Sequence, residues 1–152
     1  RLKVAGSPVD AEYFAALKAL IAEQRLDEHV EFLGHVPVNE LKKLYGRCRI
    51  FVFPSTVETF GNPLVEAMAC GAPIASSNTA AMPEVLGDAA VYFDPNDIDN
   101  ITEVLGELYN CPAARRDLTS KALERAKLYA WEETKNLTLQ VIRDPEESLA
   151  GK

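Results

Sequence analysis

The chain has 152 residues, with 23 Asp and Glu against 16 Lys and Arg, so its formal net charge is −7. Its length fits one domain, and 47% hydrophobic with 26% charged residues is typical of a folded chain and excludes a disordered one. The acidic balance argues against a general nucleic-acid binder, which needs a basic stripe, and no apolar run approaches the roughly 20 residues of a membrane-spanning helix.

Short runs rich in Val, Ile and Phe alternate with longer segments of helical periodicity, which is the pattern of βαβ units. The predicted strands, in chain order, are Leu2–Ala5, Val30–Leu33, Arg49–Phe53, Ile74–Ser76 and Ala90–Phe93. The predicted helices run over about Asp10–Arg25, Asn39–Gly46, Pro63 to a stop at Gly71, Met82–Leu86, Asp97–Tyr109, Pro112–Leu128 and Trp131–Ile142. Asn39 is the predicted cap of the second helix, and Pro63 is the predicted first residue of the third.

Parallel strands need helical crossovers, so these elements predict an α/β fold with helices on both faces of a parallel sheet. We expect one domain over residues 1–142 and a frayed tail over residues 143–152. Ligands of such sheets bind beyond the carboxyl ends of the strands. The loops that follow Ala5, Leu33, Phe53 and Ser76 are therefore the places to search for a site.

Three widely spaced cysteines, Cys48, Cys70 and Cys111, fit neither a disulfide framework nor a zinc site. The opening residues lack the succession of basic, apolar and small residues that marks a signal peptide. A reducing cytoplasm is therefore the predicted location.

The stretch from Phe53 to Gly71 combines a strand, a loop and the start of a helix. Gly61 allows the backbone to come close to a ligand or to take a positive φ, and the free N–H groups that open the helix favour an anion such as a phosphate. Leu64, Val65, Met68 and Ala69 are predicted to share the core face of this helix.

Glu66 lies about 200° from Leu64 around that helix, at roughly 100° per residue, so we expect it to face the mouth of the loop. A carboxylate there can accept two hydrogen bonds from a vicinal diol such as that of a ribose, and Glu58 in the loop can do the same for sugar hydroxyls. The spacing alone leaves two alternatives open. Glu66 can be an acid favoured by the helix dipole, and Glu58 can be a solvated loop residue.

The two glutamates have seven residues between them and stand in the segment E-T-F-G-N-P-L-V-E-A-M-A-C-G. This arrangement resembles the E-x7-E signature of glycosyltransferase family 4, the glycosyl transferases of group 1, which are retaining enzymes with the GT-B fold. Further segments resemble the family in order along nearly the whole chain, from about Leu2 to Trp131. They are Phe32–Pro37 with Glu40–Leu41 and Leu44–Tyr45, then Gly71–Ser77, Met82–Asp88 and Phe93–Pro95.

The resemblance implies that the chain is the C-terminal, Rossmann-like α/β/α half of a GT-B enzyme, which binds a nucleoside-diphosphate sugar. The enzyme would transfer a hexosyl group to a hydroxyl of a glycan, a lipid or a small molecule, as in polysaccharide biosynthesis. It implies a catalytic role beside the transferred sugar for Glu58 and ribose binding for Glu66. The other donor-binding positions it implies are Gly6, His35, Val36, Thr59, Phe60, Gly61, Asn62 and Pro63.

The family needs no bound metal, and the sequence offers no cluster with metal-ligand spacing. The partner that the resemblance implies is an N-terminal, acceptor-binding half, through which contact with a membrane surface can occur. The family also has an arginine and a lysine in a G-R-x-x-x-x-K-G-like segment, expected before residue 1. Such cations stabilise the leaving phosphate, so we expect the isolated chain to bind its donor weakly and to lack transferase activity.

Two other functions compete with the donor-binding interpretation. A sugar-nucleotide epimerase of similar architecture would not explain the glutamate spacing. A non-catalytic nucleotide-binding or regulatory module of the receiver kind needs an acidic cluster after its first strand, where Gly6 and Ser7 stand instead. His35 fits a donor contact and a simple surface histidine equally well. Trp131 is predicted to pack as a hydrophobic anchor, and the last helix to expose an apolar surface.

Overall fold

The computed structural model describes residues 1–143, and residues 144–152 of the predicted tail lie outside the described residues. Contacts divide the chain into two units, Arg1–Leu41 (unit 1) and Lys42–Lys152 (unit 2). Unit 1 holds β1 (Leu2–Ala5), α1 (Ala11–Glu23), β2 (Val30–Gly34) and the start of α2 (Val38–Arg47). Unit 2 continues with β3 (Phe51–Phe53), α3 (Asn62–Ala69), β4 (Ile74–Ser77), α4 (Met82–Leu86), β5 (Ala90–Phe93), α5 (Ile98–Asn110), α6 (Pro112–Ala126), a 3₁₀ turn (Lys127–Tyr129) and α7 (Trp131–Arg143).

Unit 1 is a parallel pair of strands with one helix. Leu2 of β1 is in register with Val30 of β2. The side chain of Asp10 caps α1 by accepting a hydrogen bond from the N–H of Tyr13 at 2.9 Å. Phe14 of α1 packs edge-on against Phe32 of β2, with ring centroids 4.9 Å apart. These contacts join the helix to the strands by half-buried side chains rather than by a sealed core.

Unit 2 has a dense core around a three-stranded parallel sheet in the order β3-β4-β5. Every residue of the central strand β4 is buried, as expected for a parallel strand covered on both faces. Ala75 of β4, Phe93 of β5, Leu108 of α5 and Leu118 of α6 form one buried cluster. The carboxyl ends of β3 and β4 therefore belong to the best packed part of the chain.

The predicted α/β class and its parallel strands are confirmed. Each of the five strands lies within two residues of its predicted bounds, and β1 and β5 match them. The strands hydrogen-bond as two ladders, β1-β2 and β3-β4-β5, rather than as the single sheet predicted. None of the helices formed by residues 1–143 is both long and apolar enough to cross a bilayer.

Four helix starts differ by one residue from the prediction, and in α1 and α5 the reason is that Asp10 and Asp97 are N-caps that precede the helix. Asn39 lies inside α2, which begins one residue earlier at Val38, so it does not cap that helix. Pro63 is the second residue of α3, because the helix begins at Asn62 directly after Gly61. The buried face of α3 is Leu64, Ala67 and Met68, an i, i+3, i+4 set, whereas Val65 is half-buried and Ala69 exposed.

The prediction that Trp131 is a packed anchor is wrong, since its side chain is 87% exposed. Trp131 is the first residue of α7, and every described residue of that helix is exposed. The predicted apolar surface of the last helix is present, with Leu137, Val141 and Ile142 at least half exposed. Since every residue of α7 is exposed, this helix provides no buried core into which Trp131 could pack.

Candidate functional site

The loop between β3 and α3, residues 54–61, is held by side-chain hydroxyls at the end of the neighbouring strand. Ser77 is fully buried and donates from Oγ to the carbonyl of Ser55 at 2.5 Å. Ser76 reaches the carbonyl of Phe53 at 3.5 Å, and Thr79 reaches that of Thr56 at 3.3 Å. Ser77 and Thr79 thus satisfy two carbonyls of the loop, and Ser76 contacts the last carbonyl of β3, so the loop is tethered to β4 and to the residues after it.

Gly61 ends this loop in a conformation that favours glycine. Its φ is +83°, and a Cβ there would lie 2.8 Å from Cδ1 of Leu64 and 3.3 Å from Cγ of Glu58. The carbonyl of Gly61 accepts from the N–H of Leu64 at 2.8 Å and so opens α3. The positive φ that the sequence allowed at this glycine is confirmed, and a close approach to a ligand stays a prediction.

The N-terminus of α3 carries no side-chain cap among the residues that the structure describes. Pro63 at the second position has no N–H to satisfy. Since the Leu64 N–H is bonded to the Gly61 carbonyl, what this helix start offers an anion is mainly the positive end of the helix dipole. The geometry therefore suits the phosphate that the sequence predicted for this place.

Glu58, Thr59 and Phe60 form the part of the loop before Gly61. Oε1 of the half-buried Glu58 accepts a hydrogen bond from the N–H of Thr59 at 3.1 Å. The ring of Phe60 meets that of Tyr129 edge-on, with centroids 5.6 Å apart, and the Tyr129 hydroxyl donates to the carbonyl of Val85 at 2.9 Å. The loop is thereby packed against the 3₁₀ turn as well as tethered to β4.

Glu66 is exposed on α3, and its carboxylate has a partner that the sequence did not reveal. The hydroxyl of Tyr45, on α2, donates to Oε2 of Glu66 at 3.3 Å. Tyr45 is only 6% exposed, and its ring packs edge-on against Phe51 at 5.1 Å. Burial raises the pKa of the Tyr45 phenol well above its usual range, and the nearby Glu66 carboxylate raises it further.

From the sequence, Tyr45 is only part of the segment Leu44–Tyr45 that resembles the family, and it has no predicted role at the site. A signal was available, because a tyrosine on an inward face brings a hydroxyl that needs a hydrogen-bond partner. The identity of that partner depends on how α2 packs against α3. No periodicity within either helix contains that information.

In unit 1, the predicted positions gather at the ends of β1 and β2. Gly6 has φ +127°, and its N–H donates to the carbonyl of Gly34 at 2.8 Å. Gly34 begins the loop that carries His35, which is exposed, and Val36, which is half-buried. Gly6 thus lies beside the loop predicted to meet the nucleobase.

The remaining predicted site residues are Asn62 and Pro63, at the start of α3. Asn62 is exposed and Pro63 is half-buried, so both border the mouth of the loop.

Within residues 1–143, no group of three or more His, Cys, Asp or Glu side chains is placed to hold a metal ion. That the activity needs no metal stays a prediction.

Comparison with known proteins identifies the family. The model of glycosyl transferases group 1 matches residues 1–125. The chain is 42% identical over 113 residues to O-antigen chain mannosyltransferase B of Escherichia coli, an alignment that covers 74% of this chain and 29% of that protein. The chain therefore spans under a third of the length of this relative.

Two solved structures share the fold. Sucrose-phosphate synthase from Thermosynechococcus elongatus superposes with a TM-score of 0.84 at 25% identity, covering 97% of this chain and 39% of that one. Anabaena HepE, solved in complex with UDP-glucose, superposes with a TM-score of 0.75 at 22% identity, covering 82% of this chain and 35% of that one. The Rossmann-like fold and the family expected from the glutamate spacing are both confirmed. The chain belongs to the glycosyl transferases of group 1.

Proposed function

We propose that this chain is the donor-binding part of a retaining glycosyltransferase, which transfers a hexosyl group from a nucleoside-diphosphate sugar to a hydroxyl acceptor. The observation that carries the proposal is the β3–α3 loop. Two glutamates with seven residues between them, Glu58 in this loop and Glu66 on α3, flank a helix start that has no side-chain cap, and the loop before it is tethered to the end of β4. Such preorganised dipoles stabilise charge as it develops on a leaving diphosphate.

The two glutamates have different proposed roles because their surroundings differ. Glu66 is exposed with one oxygen on Tyr45, so its other lone pairs can accept both hydroxyls of a ribose. Glu58 has Oε1 on the Thr59 N–H, which leaves Oε2 for the hydroxyls of the transferred sugar. The donor would then lie along Thr59–Pro63, with its diphosphate over the start of α3.

The nucleobase has a proposed place at the loop of His35 and Val36 in unit 1, with Gly6 at its border. Support for a nucleotide sugar comes from HepE, which shares the fold and was solved with UDP-glucose. Support for a hexosyl group comes from the named mannosyltransferase relative. No metal is included in the proposal, since the N-terminus of α3 offers a positive end for the diphosphate.

The remaining parts of the proposal concern the whole enzyme. Because the chain covers 29% of that relative, we propose that an acceptor-binding part completes the active site. The 152-residue chain alone would then bind a donor without transferring the sugar. A robust turnover by this chain would contradict that part of the proposal.

The test is a titration of the chain with UDP, GDP, ADP and their sugar conjugates, followed by backbone amide NMR. We expect one nucleotide to shift the amides of Val36 and of Thr59–Asn62. Hydrogen bonds to a charged group contribute roughly 1.5–3 kcal/mol, so Glu66→Ala should lower the affinity about tenfold or more. Glu107→Ala, which removes an exposed glutamate from α5, is the matched control and should bind normally.

Two results would contradict the proposal. One is the absence of any amide shift in these loops at millimolar nucleotide. The other is a nucleotide that binds equally well to the wild type and to Glu66→Ala, since the carboxylate would then not contact the ligand.

A further inference from the structure

The Glu66 carboxylate can bind a ligand more tightly if a neighbouring group holds it in place before binding. The residue is exposed on a surface of α3, where a glutamate side chain samples several rotamers. Fixing such a side chain on binding costs conformational entropy. A partner that restricts the carboxylate beforehand removes part of that cost.

Tyr45 is suited to be that partner because it cannot move easily. Its ring is 6% exposed and packs edge-on against Phe51 of β3. Its own carbonyl accepts a hydrogen bond from the Cys48 thiol at 3.2 Å, which ties the end of α2. The hydroxyl at the tip of this fixed ring lies 3.3 Å from Oε2 of Glu66.

The direction of this hydrogen bond is also fixed. A phenol whose pKa is raised by burial and by a carboxylate stays protonated at neutral pH, so Tyr45 donates and Glu66 accepts. One donor occupies one of about four lone-pair sites of a carboxylate. Enough acceptor capacity therefore remains for two hydroxyls of a ligand.

We propose that Tyr45 is a positioning residue, whose hydroxyl orients the Glu66 carboxylate to receive the vicinal hydroxyls of a ribose. This inference rests on the proposed function and adds to it a residue from a different helix. The distance of 3.3 Å exceeds the usual O–H···O separation of about 2.7–2.8 Å. The expected effect of losing it is accordingly several-fold, smaller than the effect of losing Glu66 itself.

The test compares Tyr45→Phe with the wild type, using two forms of one ligand. The ligands are whichever of UDP, GDP and ADP binds most tightly, and its 2′,3′-dideoxy analogue, which lacks both ribose hydroxyls. We expect Tyr45→Phe to lower the affinity for the ribose form about three- to tenfold and to change that for the dideoxy form less than twofold. In a Glu66→Ala background, the same substitution should have no further effect.

Tyr92→Phe is the matched control for loss of a hydroxyl. The Tyr92 hydroxyl donates to the backbone carbonyl of Gly87 at 2.6 Å, so its removal also deletes an internal hydrogen bond of unit 2. It should leave the preference for the ribose form unchanged. A purely structural role of Tyr45 would change both ligand forms equally, or neither.

The possible failures are distinguishable. If the wild type binds none of the nucleotides, the proposed function fails and this inference with it. If the wild type prefers the ribose form and loses that preference in Glu66→Ala but keeps it in Tyr45→Phe, the proposed function stands and the role of Tyr45 is overturned. If the wild type shows no ribose preference, the ribose role of Glu66 and the positioning role of Tyr45 both fail.

Discussion

The two units of the chain differ in how completely they bury their apolar residues. The buried hydrophobic residues, from Tyr45 to Ala122, all belong to unit 2. In unit 1, α1 has no buried residue, and an open apolar hollow of about 300 Å³ is lined by side chains of α1, β1 and β2. Burial of apolar area is the dominant favourable term in folding, so stability should be concentrated in unit 2.

The same difference in burial applies to the two loops that carry predicted site residues. The β3–α3 loop rises from the packed sheet of unit 2 and is fixed by Ser76, Ser77 and Thr79. The loop of His35 and Val36 follows a two-stranded ladder whose side chains are half-buried. Groups that must be held in a set geometry are best placed on the rigid part of a scaffold. The β3–α3 loop should therefore be more rigid than the loop of His35 and Val36.

The largest predicted effect is a core substitution in unit 2. Leu64 is fully buried beneath the β3–α3 loop, so Leu64→Ala should lower the free energy of unfolding by roughly 2–5 kcal/mol. Leu20 of α1 lines the open hollow and is 52% exposed, so Leu20→Ala should cost less than about 1 kcal/mol. Urea unfolding followed by far-UV circular dichroism measures both, and equal losses would contradict the difference between the units.

The difference in packing between the two units could be predicted only in part. Strand positions follow from short apolar runs, and these predict Ile74 and Phe93 to lie in strands. Whether a face is then covered depends on elements far away in the chain. Trp131 shows the limit, since a large aromatic side chain suggests a core residue but α7 offers nothing to pack it against.

For the site, the sequence identified Glu58, Gly61 and Glu66 from their spacing and the helix start between them. It did not identify Tyr45, Ser77 or Thr79. Hydroxyl side chains of this kind occur in many strands and helices, and their role arises only when the carboxyl ends of β3 and β4 lie side by side. Spacing along the chain thus points to the residues that are proposed to meet a ligand, but not to the hydroxyl groups that hydrogen-bond to their surroundings.

A second, smaller predicted effect is the difference in the free energy of unfolding between alanine substitutions at two glycines, one in each unit. Gly61 and Gly34 both have positive φ, so alanine at either position costs about 1–2 kcal/mol in backbone strain. At Gly61 a Cβ would also overlap Leu64 at 2.8 Å, whereas at Gly34 nothing lies within 4 Å. Gly61→Ala should therefore destabilise by roughly 1 kcal/mol more than Gly34→Ala.

The same denaturant unfolding measures this difference. Gly106→Ala is a matched control, because Gly106 lies within α5 with open space around its Cβ position. It should stabilise the chain by about 0.5–1 kcal/mol. Equal costs at Gly61 and Gly34 would show that the β3–α3 loop is looser than its contacts indicate.

The effect that is smallest at neutral pH is confined to the alkaline range and concerns Tyr45. Its pKa in the folded chain is raised by burial and by Glu66, above an unfolded value of about 10. The stability that this phenol contributes is fully present below pH 10 and is lost as the pH rises above it, because the unfolded chain then releases the proton first. One such group contributes a slope of at most about 1.4 kcal/mol per pH unit.

Tyr45→Phe should therefore flatten the fall of the unfolding free energy between about pH 10 and 11.5, as measured by urea unfolding at a series of pH values. Tyr13→Phe, at a side chain of unit 1 that is 70% exposed, should leave that slope as it is in the wild type. If both variants flatten it equally, the slope does not depend on burial. If neither does, Tyr45 is not held against Glu66 in solution, which would remove the basis for its positioning role independently of any ligand.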